Sequence, residues 1–266
     1  MMHIQSGIAE VNGTRLYYEV AGDGHPLVLI HGFSLDTRMW DDQFEVFARD
    51  YKVVRYDIRG YGKSAVPGKD GYYHADDLKA LLVHLGIDRA HILGLSLGGA
   101  IALEFALAYP GMTHTLILVD SVLWGHNWSE ESSKRDGALW AVGNVEGARS
   151  LWLAHPLFAP AMQNSSVAPR LTQIVTDYSG WSWVNNDPGL LPDPVAAHRL
   201  SEIGAPTLII MGEHDLPDYH AIADTLQEQI PNARTVILPA VGHMSNMEDP
   251  EGFNQAVLSF LTKDKG

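Results

Sequence analysis

The stretch Gly94-Leu95-Ser96-Leu97-Gly98-Gly99 decides the fold of this chain. It has the pattern G-x-S-x-G and lies between an apolar segment of strand length, 90–93, and an apolar segment of helix length, 97–108. A serine on such a sharp strand-to-helix turn presents its hydroxyl clear of the sheet, and small neighbours are needed because the backbone is tight there. The helix N-terminus behind it favours developing negative charge. The pattern therefore predicts Ser96 as a nucleophile, and the alternative is a structural serine in a glycine-rich turn.

Short apolar strands alternate with helices on both sides of this turn. The chain begins with two strand-like segments joined by Asn12-Gly13, a strong signal for a two-residue hairpin turn. The later alternation predicts an α/β fold with a mostly parallel eight-stranded sheet and helices on both faces. The predicted strands are 7–11, 15–20, 26–30, 51–56, 90–93, 115–119, 206–211 and 235–238, and the predicted helices are 76–85, 97–108, 219–229 and 250–261.

The alternation stops between residues 121 and 200. This segment contains six of the seven tryptophans: Trp124, Trp128, Trp140, Trp152, Trp181 and Trp183. We interpret it as a helical cap domain, 121–200, inserted after the sixth strand of a core domain formed by residues 1–120 and 201–266. The tryptophans either fill the small core of the cap or line a ligand pocket, because such pockets are mostly apolar and aromatic.

A serine hydroxyl needs a base, and the base needs a group that orients it. His243 follows the last predicted strand, and Asp215 follows the strand before it, so both belong to loops at the carboxyl ends of strands. The order Ser96, Asp215, His243 is the one that this type of turn predicts. Asp120 is the alternative orienting acid, since it ends the strand 115–119.

An acyl-transfer transition state also needs donors for its oxyanion. The first expected donor is the backbone N–H of Leu97, directly after the serine, and the second is the N–H of Phe33 in the loop after the third strand. Losing one such donor typically costs about 2.7–4 kcal/mol of barrier. We also expect Phe33, Trp124, Trp152 and Met244 to line the substrate pocket.

Over nearly its whole length the chain resembles proteins of the α/β-hydrolase fold, and it is most similar to small bacterial carboxylesterases, 3-oxoadipate enol-lactonases and cofactor-free haloperoxidases or perhydrolases. The resemblance implies hydrolysis of a small carboxylic ester through an acyl-serine, without a cofactor. The matching stretches are His31-Gly32-Phe33, Met39-Trp40-Asp41, 55–64, 94–99, 212–215 and Gly242-His243.

The same resemblance leaves several activities open. A lactonase or a perhydrolase would use the same three residues, and some proteins of this fold act as ligand receptors through their caps. Serine at position 96 argues against haloalkane dehalogenases and epoxide hydrolases, which carry aspartate there. The loop 31–36 lacks the Gly-Pro-Gly type of sequence found in the C–C bond hydrolases of the family.

Composition limits the partners. With 18 Lys+Arg and 32 Asp+Glu the formal charge is −14, which disfavours binding to nucleic acids and anionic membranes. We expect a small-molecule ester or lactone as the partner and leave a homo-oligomer open. The N-terminal sequence lacks the apolar core of a signal peptide, and no apolar run is long enough to span a bilayer, so a cytoplasmic protein is expected.

The sequence predicts neither a metal nor a cofactor. Without cysteines the chain has no disulfides, thiol nucleophiles or cysteine-bound metal centres. The run 214–220 contains His214, Asp218 and His220, but it lies mostly on one loop, where ligands do not readily converge. The stretch Gly60-Tyr61-Gly62-Lys63-Ser64 ends like a phosphate-binding loop but has Asp57 where a Walker motif needs glycine.

Overall fold

An eight-stranded sheet forms the centre of the molecule. The computed structural model describes residues 3–263, so the ends of the predicted core domain, residues 1–2 and 264–266, lie outside the described residues. The strands are β1 (Ile4–Val11), β2 (Thr14–Ala21), β3 (His25–Ile30), β4 (Tyr51–Tyr56), β5 (Ala90–Leu95), β6 (Thr113–Val119), β7 (Thr207–Gly212) and β8 (Ala233–Leu238). Their spatial order is β1-β2-β4-β3-β5-β6-β7-β8. The pairs β1–β2 and β2–β4 are antiparallel and the other five are parallel, which confirms the predicted sheet.

Helices cover the sheet. Every residue of β5 and β7 is buried, as expected for parallel strands that are covered on both faces. None of the helices within the described residues is both long and apolar enough to cross a membrane. The helices are α1 (Asp41–Phe47), α2 (His74–His84), α3 (Leu97–Ala108), α4 (Glu130–Trp140), α5 (Val145–Leu153), α6 (Ala159–Gln163), α7 (Ala168–Asp177), α8 (Trp181–Val184), α9 (Pro217–Gln229), α10 (Ser245–Glu248) and α11 (Pro250–Lys263).

The segment between β6 and β7 contains five helices, α4 to α8. It begins and ends on neighbouring strands, since Val119 of β6 pairs with Ile210 of β7. Asp218, at the start of α9, accepts hydrogen bonds from the hydroxyls of Ser129 and Ser132 at 2.7 and 2.5 Å. These bonds attach the beginning of α4, the first helix of the segment, to α9. Burial opposes the charge of Asp218, but hydrogen bonds from these serines and His126 outweigh it and lower the pKa to about 2. The carboxylate is therefore ionised over the whole physiological range.

Candidate active site

Ser96 occupies the turn between β5 and α3. Its backbone has φ 56° and ψ −115°, a conformation that non-glycine residues rarely adopt, and the side chain is almost fully buried. Two glycines make the turn sterically feasible. A Cβ on Gly94 would lie 2.0 Å from the carbonyl oxygen of Gly98, and a Cβ on Gly98 would lie 2.2 Å from the carbonyl oxygen of Ile30. The glycines of the motif therefore allow strand, turn and helix to pack within backbone contact.

His243 and Asp215 meet beneath the loops at the carboxyl ends of β7 and β8. Asp215 follows the end of β7 and His243 lies in the loop after β8. The Nδ1 of His243 lies 2.8 Å from Oδ2 of Asp215, and both side chains are almost inaccessible to solvent. The other carboxylate oxygen of Asp215 accepts a hydrogen bond from the N–H of Leu216 at 2.7 Å. This pairing fixes the orientation of the imidazole ring.

The Nε2 atom of His243 is buried and has no hydrogen-bond partner within residues 3–263. His243 and Ser96 both line the same small cavity. The structure thus brings together the three residues predicted as nucleophile, base and orienting acid, and Nε2 of the histidine has no hydrogen-bond partner among the described residues.

Asp120, the alternative acid, lies beside this pair but has other partners. Its Oδ1 accepts from the N–H of Gly212 at 2.8 Å, and its Oδ2 accepts from the hydroxyl of Ser245 at 2.6 Å. Burial and the neighbouring Asp215 carboxylate raise the pKa of Asp120 well above its usual range. The structure therefore shows two adjacent carboxyl groups, of which Asp215 contacts the imidazole and Asp120 bonds to Gly212 and Ser245.

The two expected oxyanion donors follow the neighbouring strands β5 and β3. Leu97 is the first residue of α3, so its N–H is one of the donors that a helix leaves without an intrahelical acceptor. Phe33 follows β3, which pairs with β5 through Ile30 and Gly94. A Cβ on Gly32 would lie only 3.5 Å from the Cβ of Ser96, so the loop that carries the Phe33 N–H passes directly beside the serine.

The cavity at Ser96 is narrow and apolar. Its volume is about 10 Å³, room for roughly one water molecule. Three of the predicted pocket residues, Phe33, Trp152 and Met244, line it together with Ser96 and His243. The indole N–H of Trp152, on α5, donates to the hydroxyl of Ser34 at 2.6 Å. A helix of the inserted segment thus closes the site from above.

The prediction for Trp124 is wrong in its location. Trp124 lines a different cavity of about 360 Å³, together with Tyr73, His74, Glu104 and Leu190. The physical reason is the turn after β6, in which the N–H of His126 bonds to the carbonyl of Leu123 and Gly125 has φ 95°. Trp124 accordingly shares its cavity with Glu104 and Ala108 of α3 and not with Ser96.

Tyr219 belongs to the site, and the sequence analysis did not select it. Its ring packs edge-on against the imidazole of His243, with 4.5 Å between the centroids. Burial, followed by the nearby Asp215 charge, raises the pKa of the phenol against an opposing effect of Ser96. The available signal was its position in the first turn of the helix that follows Asp215, which brings its side chain back to the same loop.

The comparisons with known proteins show the family. A family model described as the alpha/beta hydrolase fold matches residues 25–250. The chain belongs to this family. The match includes the serine turn, both acidic residues and the histidine, and it confirms the fold that the resemblance implied.

Similar proteins act on different compounds. A 2-hydroxy-6-oxononadienedioate/2-hydroxy-6-oxononatrienedioate hydrolase of Paraburkholderia phymatum is 30% identical over 263 residues, 93% of this chain and 91% of its own. The crystal structure of an enol-lactonase from Burkholderia xenovorans matches with a TM-score of 0.83 and 26% identity, over 96% of this chain and 100% of that one. A thermophilic esterase from Thermogutta terrifontis matches with a TM-score of 0.84 and 27% identity, over 98% and 99%. The family and these names support a hydrolase.

Proposed function

We propose that this protein is a serine hydrolase that cleaves a small carboxylic ester through an acyl-enzyme on Ser96. The observation that carries the proposal is the buried 2.8 Å contact between His243 and Asp215 beside a serine held in a strained turn. An imidazole fixed in this way can act as a general base towards the hydroxyl, which is otherwise a weak nucleophile.

The proposed reaction has two steps. In the first, His243 removes the Ser96 proton while the serine oxygen bonds to the acyl carbon, and the backbone N–H groups of Phe33 and Leu97 stabilise the oxyanion. His243 then gives its proton to the departing alkoxide, which leaves as the alcohol. In the second step, His243 removes a proton from water and the hydroxide oxygen bonds to the acyl carbon. The bond between the acyl carbon and the Ser96 oxygen then breaks, the carboxylic acid leaves, and the proton on His243 restores the Ser96 hydroxyl.

The cavity bears on the substrate. With about 10 Å³ beside Ser96, the closed site has room for about one water molecule, so any acyl group requires some opening and a short one requires the least. Its lining by Phe33, Trp152, Leu157 and Phe158 favours an apolar one. A larger substrate requires the helices α4 to α8 to move away from the core. Lactone and dienedioate hydrolysis, named for similar proteins, remain the alternatives that use the same residues.

Steady-state hydrolysis tests the proposal. We would compare p-nitrophenyl acetate, p-nitrophenyl octanoate, a γ-lactone and a 2-hydroxy-6-oxodienoate with the wild type and Ser96→Ala. We expect turnover that depends on Ser96 and is faster for the acetate than for the octanoate. The matched control is Ser121→Ala, because Ser121 is also buried near this turn but donates to the carbonyl of Val122.

A fluorophosphonate identifies the nucleophile independently. Mass spectrometry of the labelled wild type should find the adduct on the peptide that contains Ser96, and Ser96→Ala should stay unlabelled. Absence of Ser96-dependent turnover on all four substrates would refute the catalytic proposal and favour a ligand receptor. Dependence on Ser96 with the dienoate alone would replace the ester by a ketone substrate.

A further inference from the structure

Three histidines meet at the edge of the sheet opposite the proposed active site. His25 is the first residue of β3, His91 the second of β5 and His114 the second of β6. These strands are parallel neighbours, so their N-terminal ends lie at one edge, whereas the serine, the acid and the base follow carboxyl ends. The ring centroids are 4.6 Å apart for His25 and His91, 4.7 Å for His25 and His114, and 4.8 Å for His91 and His114.

The register of the strands explains this convergence. Leu27 pairs with His91, and His25 precedes Leu27 by two residues, so His25 and His91 share one face of the sheet. Between β5 and β6 the register shifts after Ala90, which makes His114 an additional residue on β6. In such a bulge two residues oppose one on the partner strand. His91 therefore faces both His114 and Thr115.

The side chains have the arrangement of a metal site. One ring nitrogen from each histidine lies within 4.8 Å of those of the other two. His91 Nδ1 lies 2.8 Å from Oγ1 of Thr115, the kind of second partner that orients metal-binding imidazoles. The Nδ1 of His114 is buried and finds no hydrogen-bond partner among residues 3–263, and an unsatisfied buried nitrogen calls for an explanation such as an ion.

We propose that His25, His91 and His114 bind one divalent transition-metal ion of the zinc type, with the fourth position open to solvent. Three imidazoles without a thiolate or carboxylate suit zinc, nickel or copper rather than magnesium or calcium. In tetrahedral geometry the ligand nitrogens lie about 3.4 Å apart, so the three imidazoles must move closer by side-chain rotation, for which His25 is exposed. The ion would connect the starts of β3, β5 and β6.

The charges around the cluster have opposing effects on the binding of a cation. The chain as a whole carries a formal charge of −14, which attracts cations. Arg89 acts electrostatically on His25 and opposes a nearby cation. Its side chain is exposed, where solvent and salt screen the repulsion. Replacing it by glutamine should therefore tighten metal binding modestly.

Calorimetric titration tests the site. Untagged, full-length protein is freed of metal with a chelator, dialysed and titrated with ZnCl2. We expect one ion per chain with a Kd at or below about 1 μM. His25→Ala and His114→Ala should each weaken binding by at least about tenfold. His198→Ala is the matched control, because His198 is an exposed histidine outside the cluster.

Two further readouts separate this site from the catalytic residues. CoCl2 should give the visible absorption of tetrahedral cobalt in the wild type and lose it in His25→Ala. Zinc should raise the Tm of the wild type, since it binds the folded state, but not that of His25→Ala, whose exposed side chain leaves the fold intact. Binding that is absent, that persists unchanged in His25→Ala, or that disappears in His243→Ala instead would overturn the proposal. The result is independent of the proposed hydrolysis.

Discussion

Replacing each of the two buried carboxyl groups, Asp215 and Asp120, by an asparagine amide should have different effects on activity. Asp215 lies 2.8 Å from His243 Nδ1 and is its acceptor, so the N–H belongs on Nδ1 and Nε2 is left as the base. An amide N–H at this position would donate to Nδ1 and move the proton to Nε2. The imidazole could then no longer accept the proton of Ser96.

The expected loss for Asp215→Asn is large. Replacing the orienting aspartate by asparagine in a comparable triad lowers kcat by about 10⁴-fold, which corresponds to about 5.5 kcal/mol of barrier. Asp120→Asn should cost at most about tenfold, because the hydrogen bonds of Asp120 go to Gly212 and Ser245 rather than to the imidazole, and an amide can still accept one of them. Each variant replaces one carboxyl oxygen by an amide nitrogen, so each is the control for the other.

The assay is kcat/KM for p-nitrophenyl acetate, with Ser96→Ala as the background and urea denaturation as the check on folding. We expect Asp215→Asn near the background and Asp120→Asn near the wild type, both folded. Equal losses in the two variants would show that the carboxyl pair acts as a unit. A loss in Asp120→Asn alone would assign the orienting role to Asp120 and refute the reasoning from the 2.8 Å contact.

Three other predictions follow from separate parts of the molecule. Trp152→Phe removes the hydrogen bond to Ser34 but keeps an aromatic ring beside Phe33, so KM for the acetate should rise about three- to tenfold with little change in kcat, and a loss confined to kcat would contradict a role in closing the site. Gly98→Ala places a Cβ 2.2 Å from a backbone oxygen, so the free energy of unfolding in urea should fall by about 1–3 kcal/mol, and an unchanged midpoint would show that the turn can relax. Burial raises the pKa of Glu104 to about 7, so the folded state keeps its proton while the unfolded state ionises, and the wild-type free energy of unfolding should fall between about pH 4.5 and 7. Over that range the free energy of unfolding of Glu104→Gln, measured in denaturation curves, should rise by up to about 3 kcal/mol relative to the wild type. The same pH dependence in both proteins would contradict the shift.

The sequence predicts the centre of the molecule well because periodicity and turn chemistry act locally there. The strand 51–56 and the helix 97–108 agree with β4 and α3 to the residue, and the Asn12-Gly13 turn has the positive φ angles that a primed hairpin turn requires. The order of nucleophile, acid and base along the chain also indicates which loops meet. These features depend on neighbouring residues or on the rules of parallel sheets, both of which the sequence displays.

The features that the sequence does not predict depend on how side chains and strands are placed in space, which no local pattern of residue types records. Trp124 is apolar and lies in the inserted segment, but a turn at Gly125 decides which cavity it faces. The short helix α1 escapes detection because seven residues give too little periodicity, although Phe44 and Phe47 are buried. The histidine cluster arises from a one-residue register shift at His114, which no local pattern marks.

The inserted segment leaves and re-enters the sheet on two strands that pair with each other. Asp120, just after β6, donates its N–H to Ile210 of β7 at 2.9 Å, so the sheet is continuous beneath the insertion. Closing a loop between adjacent anchor points becomes only slowly more expensive as the loop lengthens. The length and sequence of the segment can therefore change at little cost to the pairing of β6 and β7, so the sheet that carries Ser96, Asp215 and His243 does not depend on a particular insertion.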